Sequence, residues 1–275
     1  MVPFYLLFPV AVLAGFVGAM SGMGGGIILI PALTLLGVDI KQAIAISILS
    51  VIATSSGSAS AYVRDHITNL KIGMFLEMFT ILGALAGAAI TLAASPRPLY
   101  IAFGCVLLGS WLALLIAGHK TWHEGAQDSI SNWLELEGSY FDQAQGTMIR
   151  YRARHAALGA PLMFGAGMIA GLLGIGAGAV KVLIQDLIMG LPPKVSTTTS
   201  NLIIGVTALA GTSVYLAHGL IDPGLAAPVV VGVVAGAFIG TRVLVRISNR
   251  SVRQFFLVIL IALAVEMLLH GIRGR

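Results

Sequence analysis

The 275-residue sequence holds a single cysteine, Cys105, so neither a disulfide framework nor a multi-cysteine metal site is available to it. Charge is scarce too: Asp, Glu, Lys and Arg make up 10% of the residues, against roughly 25% in ordinary soluble proteins. The excess of sixteen bases over eleven acids is too thin to make a nucleic-acid footprint. In such a chain, Lys and Arg report orientation in a bilayer first. Hydrophobic residues fill the gap, at 57% of the chain, with a mean hydropathy of +0.96. These values exclude an ordinary soluble domain and indicate an all-α, polytopic membrane protein. The 34 glycines, set in apolar stretches, suit helices whose backbones approach closely in lipid.

Apolar runs bounded by charge, Pro or Gly fall at about 4–20, 24–37, 41–63, 72–93, 98–117, 156–174, 177–190, 194–218, 223–243 and 252–271. Eight of these ten approach the roughly 20 residues that a spanning helix needs. The runs beginning near Gly24 and Ala177 are too short, and each follows a glycine cluster, SGMGGG at 21–26 and GIGAG at 174–178. Each therefore opens its half of the chain with a broken pair, either a helical hairpin dipping into the membrane or two short tilted helices. The first run lacks a basic flank, so a cleaved signal peptide is not expected. The substantial water-facing stretch is 118–155. Within it SISNWLELE reads as a short helix, and SYFD and TMIRYRAR around QAQG read as a β-hairpin. Its polarity leaves it little to bury, and regulation or partner contact is the expected role.

The pattern of one long, one short and three long segments occurs twice, and the halves align at an offset near 153. Gly18 pairs with Gly171, Gly37 with Gly190, Lys41 with Lys194, Ser47 with Ser200, Thr54 with Thr207, Tyr62 with Tyr215 and Arg97 with Arg250. After small shifts Gly22, Gly24 and Gly26 meet Gly174, Gly176 and Gly178, and Gly83 and Gly87 meet Gly232 and Gly236. Glycine-rich helices align by chance, but matched Lys, Tyr and Arg positions favour duplication. The expected organisation is a first membrane repeat at 1–117, a cytoplasmic polar insertion at 118–155 and a second membrane repeat at 156–275. If each short segment returns to the face where its pair began, eleven Lys and Arg fall on one face and four on the other. If it crosses instead, the split is eight to seven. The first arrangement carries the positive-inside signal and leaves both termini outside. Each half then crosses an odd number of times, which makes the two repeats inverted.

With GAMSGMGGGIILIPAL in the first half, AGLLGIGAGAVKV and GLPPKVSTTTSNL in the second, and RISNRSVRQFFLVILIALA near the end, the chain resembles the sulfite exporter TauE/SafE family of membrane transporters. The resemblance covers both membrane halves and not the 118–155 insertion. It implies a secondary transporter of a small sulfur-containing anion such as sulfite or a sulfonate, with export as its direction, in the cytoplasmic membrane of a prokaryote. An anion channel or an accessory membrane subunit on the same scaffold is the alternative. The second motif departs from the usual glycine run at Ala177 and Ala179, which sets the two tips apart.

GMGGG and GIGAG are not dinucleotide fingerprints, because neither follows a strand in a soluble βαβ unit. At a helix break in a membrane, glycine frees backbone N–H groups, and the helix that follows presents a partly positive N-terminus. Gly24, Gly25, Gly26, Gly176 and Gly178 are therefore candidate anion contacts, with tight packing as the plainer reading. Hydroxyls and amides crowd the next segment of each half, and Ser47, Ser50, Thr199, Ser200 and Asn201 are the foremost candidates among them. Interhelical bonding is the commoner role for any one of these. Lys181 is an intramembrane cation suited either to an anion or to pairing with Asp186. Glu77, Asp186 and Glu266 could each carry a proton if transport is proton-coupled, and each is equally suited to a structural pairing. Glu77 lies near the cytoplasmic end of its segment, where water could reach it. No catalytic constellation, cofactor motif or metal-ligand spacing is apparent, and a second copy of the chain, as a homodimer, is a candidate partner.

Overall fold

The structure, a computed structural model, describes residues 4–21, 24–64, 67–117, 128–142, 146–244 and 249–273. Gly22, His119 and His123 lie outside the described residues. The chain is mostly helical, in the order α1 (Phe4–Ser21), α2 (Gly26–Leu35), α3 (Ile40–Arg64), α4 (Leu70–Ala93) and α5 (Pro96–Ala117). A small insert follows, with α6 (Ser129–Trp133), β1 (Glu137–Asp142) and β2 (Thr147–Arg152). Then come α7 (Ala156–Leu173), α8 (Gly178–Leu183) running into a π-turn (Ile184–Ile188), α9 (Pro193–Ala217), α10 (Pro223–Leu244) and α11 (Asn249–Arg273). Among the described residues five helical stretches are long and apolar enough to cross a membrane: Ile40–Gly57, Leu70–Ala93, Ala156–Leu173, Pro193–Ala217 and Pro223–Gly240. Large apolar side chains stand outward on them. Met74, Met78, Leu82 and Leu85 form such a stripe along one side of α4, the face that lipid would cover.

Local chemistry sets the helix ends. Asn69 caps α4, its side chain accepting from Ile72 N at 3.0 Å, and Pro193 opens α9 where a missing N–H costs nothing. The two breaks rest on left-handed backbone: Gly24 at φ +83°, and Gly174 and Gly176 at +65° and +73°. Ala177 shares that region at φ +49° in spite of its Cβ, so the second break carries backbone strain that none of the described residues of the first shows.

Two glycine ladders assemble the bundle. On α10, Gly232, Gly236 and Gly240 abut Ala11, Val12 and Phe16 of α1 in turn, so that α1 and α10 run parallel. On α4, Gly83 and Gly87 abut Phe164 and Met168 of α7, while Gly167 and Gly171 of α7 abut Thr80 and Ala84, again in parallel. A Cβ at Gly236 would overlap the Val12 carbonyl, and one at Gly171 the Ala84 carbonyl. Bare backbone is thus a condition of the contact, as in close-packed membrane helices generally. The C-terminal ends of α4, α7 and α9 are tied together, Tyr215 Oη donating to Gly171 O at 2.6 Å and Thr91 Oγ1 to Leu172 O at 2.7 Å. At the opposite end Arg154 N donates to Met189 O at 3.0 Å, which brings the end of the π-turn back beside the start of α7.

The insert departs from the expectation that it has little to bury. Its helix is shorter than the nine-residue stretch read from the sequence, ending at Trp133, after which Glu135 turns the chain at φ +48°. Its strands pair antiparallel from Glu137 opposite Arg152 to Asp142 opposite Thr147. Leu136, Tyr140 and Tyr151 are buried in one apolar cluster with Ile72, Leu76, Met163 and Met189 of the membrane helices. Asn69 fastens the contact, donating from Nδ2 to Glu137 O and Tyr151 Oη at 3.0 Å each. Asp128 adds a second tie, accepting from Ser131 Oγ and from Ala156 N. Slight burial would raise its carboxyl, but the bonds from Ser131 and the backbone outweigh that and hold it below the usual carboxylate range. Alternation of apolar and polar residues in the strands hid this docked face, because polar content averages over both faces.

Candidate functional site

The two breaks meet. A Cβ on Gly26, the first residue of α2, would lie 2.5 Å from Ser47 Oγ and 2.7 Å from Gly174 O, so no side chain larger than hydrogen fits where the halves touch. Ser47 Oγ, on α3, donates to Gly174 O at 2.9 Å and bonds the first half to the second break. Val51, fully buried one turn along α3, wedges between the breaks, its two methyl groups in contact range of Gly24 and Gly176. Gly25 faces the Ala14 carbonyl and Ser50 Oγ, and Gly178 opens α8.

At the first break a cavity of about 10 Å³, room for roughly one water molecule, is lined by Gly18, Gly24, Thr54, Ser55, Asn201 and Ile204. A larger recess of about 190 Å³, open on the outward face where Val206 and Leu209 are exposed, lies against Ile52, Ser55, Ser56, Asn201 and Gly205. Asn201 and Ser55 line both. Thr54, Ser55 and Ser56 belong to the hydroxyl cluster of the third segment but not to its foremost candidates. The signal that could have singled them out is position: they lie one to two turns past Ser47 and Ser50, level with the first break.

The other sequence-derived candidates are engaged within the protein. Ser50 Oγ donates to Ser47 O at 2.7 Å, Thr199 Oγ1 accepts from Asn69 N at 3.2 Å, and Ser200 Oγ accepts from Gln185 Nε2 at 2.9 Å. Lys181 is completely buried and does not turn to Asp186; its Nζ donates to Thr207 Oγ1 at 2.8 Å. That hydroxyl lies 3.1 and 3.2 Å from the two Glu77 carboxylate oxygens, and Thr80 Oγ1 donates to Glu77 Oε2 at 3.0 Å. Glu77 is therefore a buried partner, 8% exposed, and not a solvated group at a helix end. Asp186 sits in the π-turn beside Ser196, with Oδ1 buried and unpartnered among the described residues. Glu266 lies apart on α11, near Tyr100 and His270, with Oε1 likewise unpartnered. The structure thus gathers Lys181, Glu77, Thr80 and Thr207 into one polar chain between α8, α4 and α9, and leaves Glu266 outside it. Thr207 and Gln185 were not singled out as site residues from sequence. Thr207 is the repeat partner of Thr54, which was a usable clue.

A family model described as the sulfite exporter TauE/SafE matches residues 7–267. The chain belongs to the sulfite exporter TauE/SafE family. Two relatives from Bacillus subtilis (strain 168) align over most of their length. The probable membrane transporter protein YunE is 25% identical over 277 residues, covering 98% of each chain. The probable membrane transporter protein YdhB is 27% identical over 240 residues, covering 86% of this chain and 87% of its own. No solved structure matches the chain at a significant level. Membership makes this a TauE/SafE membrane transporter, in keeping with its apolar helices.

Proposed function

We propose that this transporter moves a small sulfur-containing anion, sulfite or a sulfonate, across the cytoplasmic membrane of a prokaryote by alternating access, in the direction of export. The observation that carries this reading is the meeting of the two glycine breaks around Val51, with Asn201 facing the cavities beside them. The ten-residue α2 points its N-terminus into the junction, where its free N–H groups favour negative charge. Gly24, Gly25, Gly26, Ser47, Ser50, Gly176, Gly178, Thr199, Ser200 and Asn201 form the walls of this region. Asn201, Gly24, Thr54 and Ser55 serve as the contact face, and the bonded hydroxyls hold that face in shape.

Inverted repeats at 1–117 and 156–275 supply the two bodies that rock. In support, α1 lies parallel to α10 and α7 parallel to α4, so the opening helix of each half packs on the fourth helix of the other. The ends that tie α4, α7 and α9 together lie opposite the insert, where α10 begins, which gives α1 and α7 opposite directions. With the insert in the cytoplasm, both termini fall outside. Lys181 supplies positive potential near the breaks, and Glu77 balances it through Thr207 while no anion is present. A proton taken up by Glu77 would release Lys181 toward an arriving anion.

Two measurements test the reading. In proteoliposomes, labelled sulfite should show saturable counterflow, whereas unsaturated flux would favour a channel. Sulfite, thiosulfate, sulfoacetate and taurine titrated against thermal stability should reveal a ligand that binds the folded protein alone. Asn201→Leu keeps the bulk and removes the donors, and it should weaken that ligand by about 1–3 kcal/mol. An unchanged isotherm in a normally stable variant would move the site elsewhere.

A further inference from the structure

Gln185 and Asp186 are consecutive residues in the π-turn that ends the broken helix of the second half, and together they leave two acceptor oxygens buried and unmatched. Gln185 is 0% exposed; its Nε2 is fixed on Ser200, and Oε1 has no partner among the described residues. Asp186 lies beside Ser196, whose hydroxyl donates to Pro192 O at 3.3 Å, and its Oδ1 is also buried without a partner among the described residues. Ser196 and Ser200 stand one turn apart on α9, so both side chains lean on the same helix face. An orphaned acceptor away from water costs free energy on the order of 1–3 kcal/mol, more when it is charged, so each of the two calls for a positive or donor group.

The surrounding charge narrows what that group is. Lys181, one turn earlier, is committed to Thr207 and balanced by Glu77. Among the described residues no cationic side chain pairs with Asp186. Arg154, whose Nε is buried without a partner among the described residues, lies against Gly190 past the π-turn and forms no ion pair with Asp186, which leaves that carboxylate locally unbalanced. The available ligands are all hard oxygens: a carboxylate, an amide carbonyl and the hydroxyls of Ser196 and Ser200. That set suits an alkali or alkaline-earth ion and not a soft metal. The C-terminal end of a broken membrane helix, with its loosened carbonyls and partial negative charge, is a favourable place for such an ion.

We infer that Gln185, Asp186, Ser196 and Ser200 form a binding site for a single monovalent cation of the size of Na⁺. The site adjoins the anion region through Ser200, whose hydroxyl is turned to Gln185 while Asn201 lines the cavity, and it does not rest on the identity of the anion. Its occupation would couple the ionic gradient to the position of α8 against α9, because its ligands come from both.

The test uses the purified full-length chain with no anionic substrate, titrated with NaCl against choline chloride at constant ionic strength. Na⁺ should raise the melting temperature saturably and choline should not. Asp186→Asn should abolish the response, and Gln185→Leu and Ser200→Ala should each weaken apparent Na⁺ affinity by about tenfold or more. Asn201→Leu should leave it intact, which separates failure of this site from failure of the anion site. Should Asp186→Asn not fold, the wild-type titration and the milder Ser200→Ala decide the matter. Equal melting curves in Na⁺ and choline would overturn the proposal.

Discussion

The two helix breaks occupy equivalent places in the two halves and are built from different chemistry. The first is bare: three glycines, Gly24 to Gly26, lead into the apolar α2, where Leu29 is fully buried. The second leads through Ala177 into α8, where Lys181 takes the place of Leu29 and a π-turn carries Gln185 and Asp186. The first break offers close approach and exposed backbone, whereas the second adds charge and side-chain acceptors. Duplicated backbones thus keep the geometry of a meeting point while the polar machinery gathers on one side of it.

The largest expected effect breaks the equivalence at its most unequal position. Lys181→Met strands the Glu77 carboxylate in a dry interior, and Glu77→Gln strands the ammonium; each should cost about 3–5 kcal/mol of stability. The double variant should recover most of that loss, because removing both charges together leaves neither buried and unpaired. Leu29→Met, at the matching place in the first half, should cost less than about 1.5 kcal/mol. Thermal unfolding in detergent of the four variants gives the comparison. Equal losses at Lys181 and Leu29 would mean that the two breaks are energetically alike after all.

The ladders should behave in the opposite way, as equals. Gly236→Ala in the α1 and α10 contact and Gly87→Ala in the α4 and α7 contact each push a methyl group into a facing carbonyl. Each should lower stability by about 1–3 kcal/mol through forced separation of the helices. Melting temperatures that fall in one variant and hold in the other would show that only one half relies on its ladder.

Much of this was legible in the sequence, for reasons that particular residues show. Helix positions followed apolar length, and the breaks followed GMGGG and GIGAG, because glycine at φ near +70° is a local requirement that sequence states openly. The family followed from those same motifs. Pairings across the fold were not legible. Lys181 has Asp186 five residues away, yet it bonds Thr207, because the π-turn rotates Asp186 toward Ser196 while α9 brings Thr207 to the ammonium. The hydroxyl clusters were visible, but which members line space depends on helix rotation: Asn201 faces both cavities, while Ser200, its neighbour, faces Gln185. The docked face of the insert was hidden for the same reason, since Tyr140 and Tyr151 acquire meaning only when β1 and β2 are laid on Ile72 and Met163.

The insert is also attached unequally, since its described polar ties reach α4, α7 and the π-turn of the second break, and two residues of α4's first turns test how. Asn69 caps α4, holds Glu137 O and Tyr151, and offers its N–H to Thr199. Asn69→Ala removes the side-chain bonds, leaves the N–H in place, and should cost about 1–2 kcal/mol, a typical value for losing a cap. Its second readout is faster proteolysis within the insert, because the membrane-side partner of Tyr151 is gone. Lys71, two residues on, pairs with Glu135 at 3.0 Å, but both side chains are well exposed, at 63% and 74%. Water screens such a pair, and ordering two long side chains offsets most of what attraction remains. Lys71→Ala should therefore change stability by less than about 1 kcal/mol and leave proteolysis of the insert unchanged. A larger loss at Lys71 than at Asn69 would shift the attachment of the insert from the buried Asn69 and Tyr151 contact to its charged rim, and with it the link from the insert to Thr199.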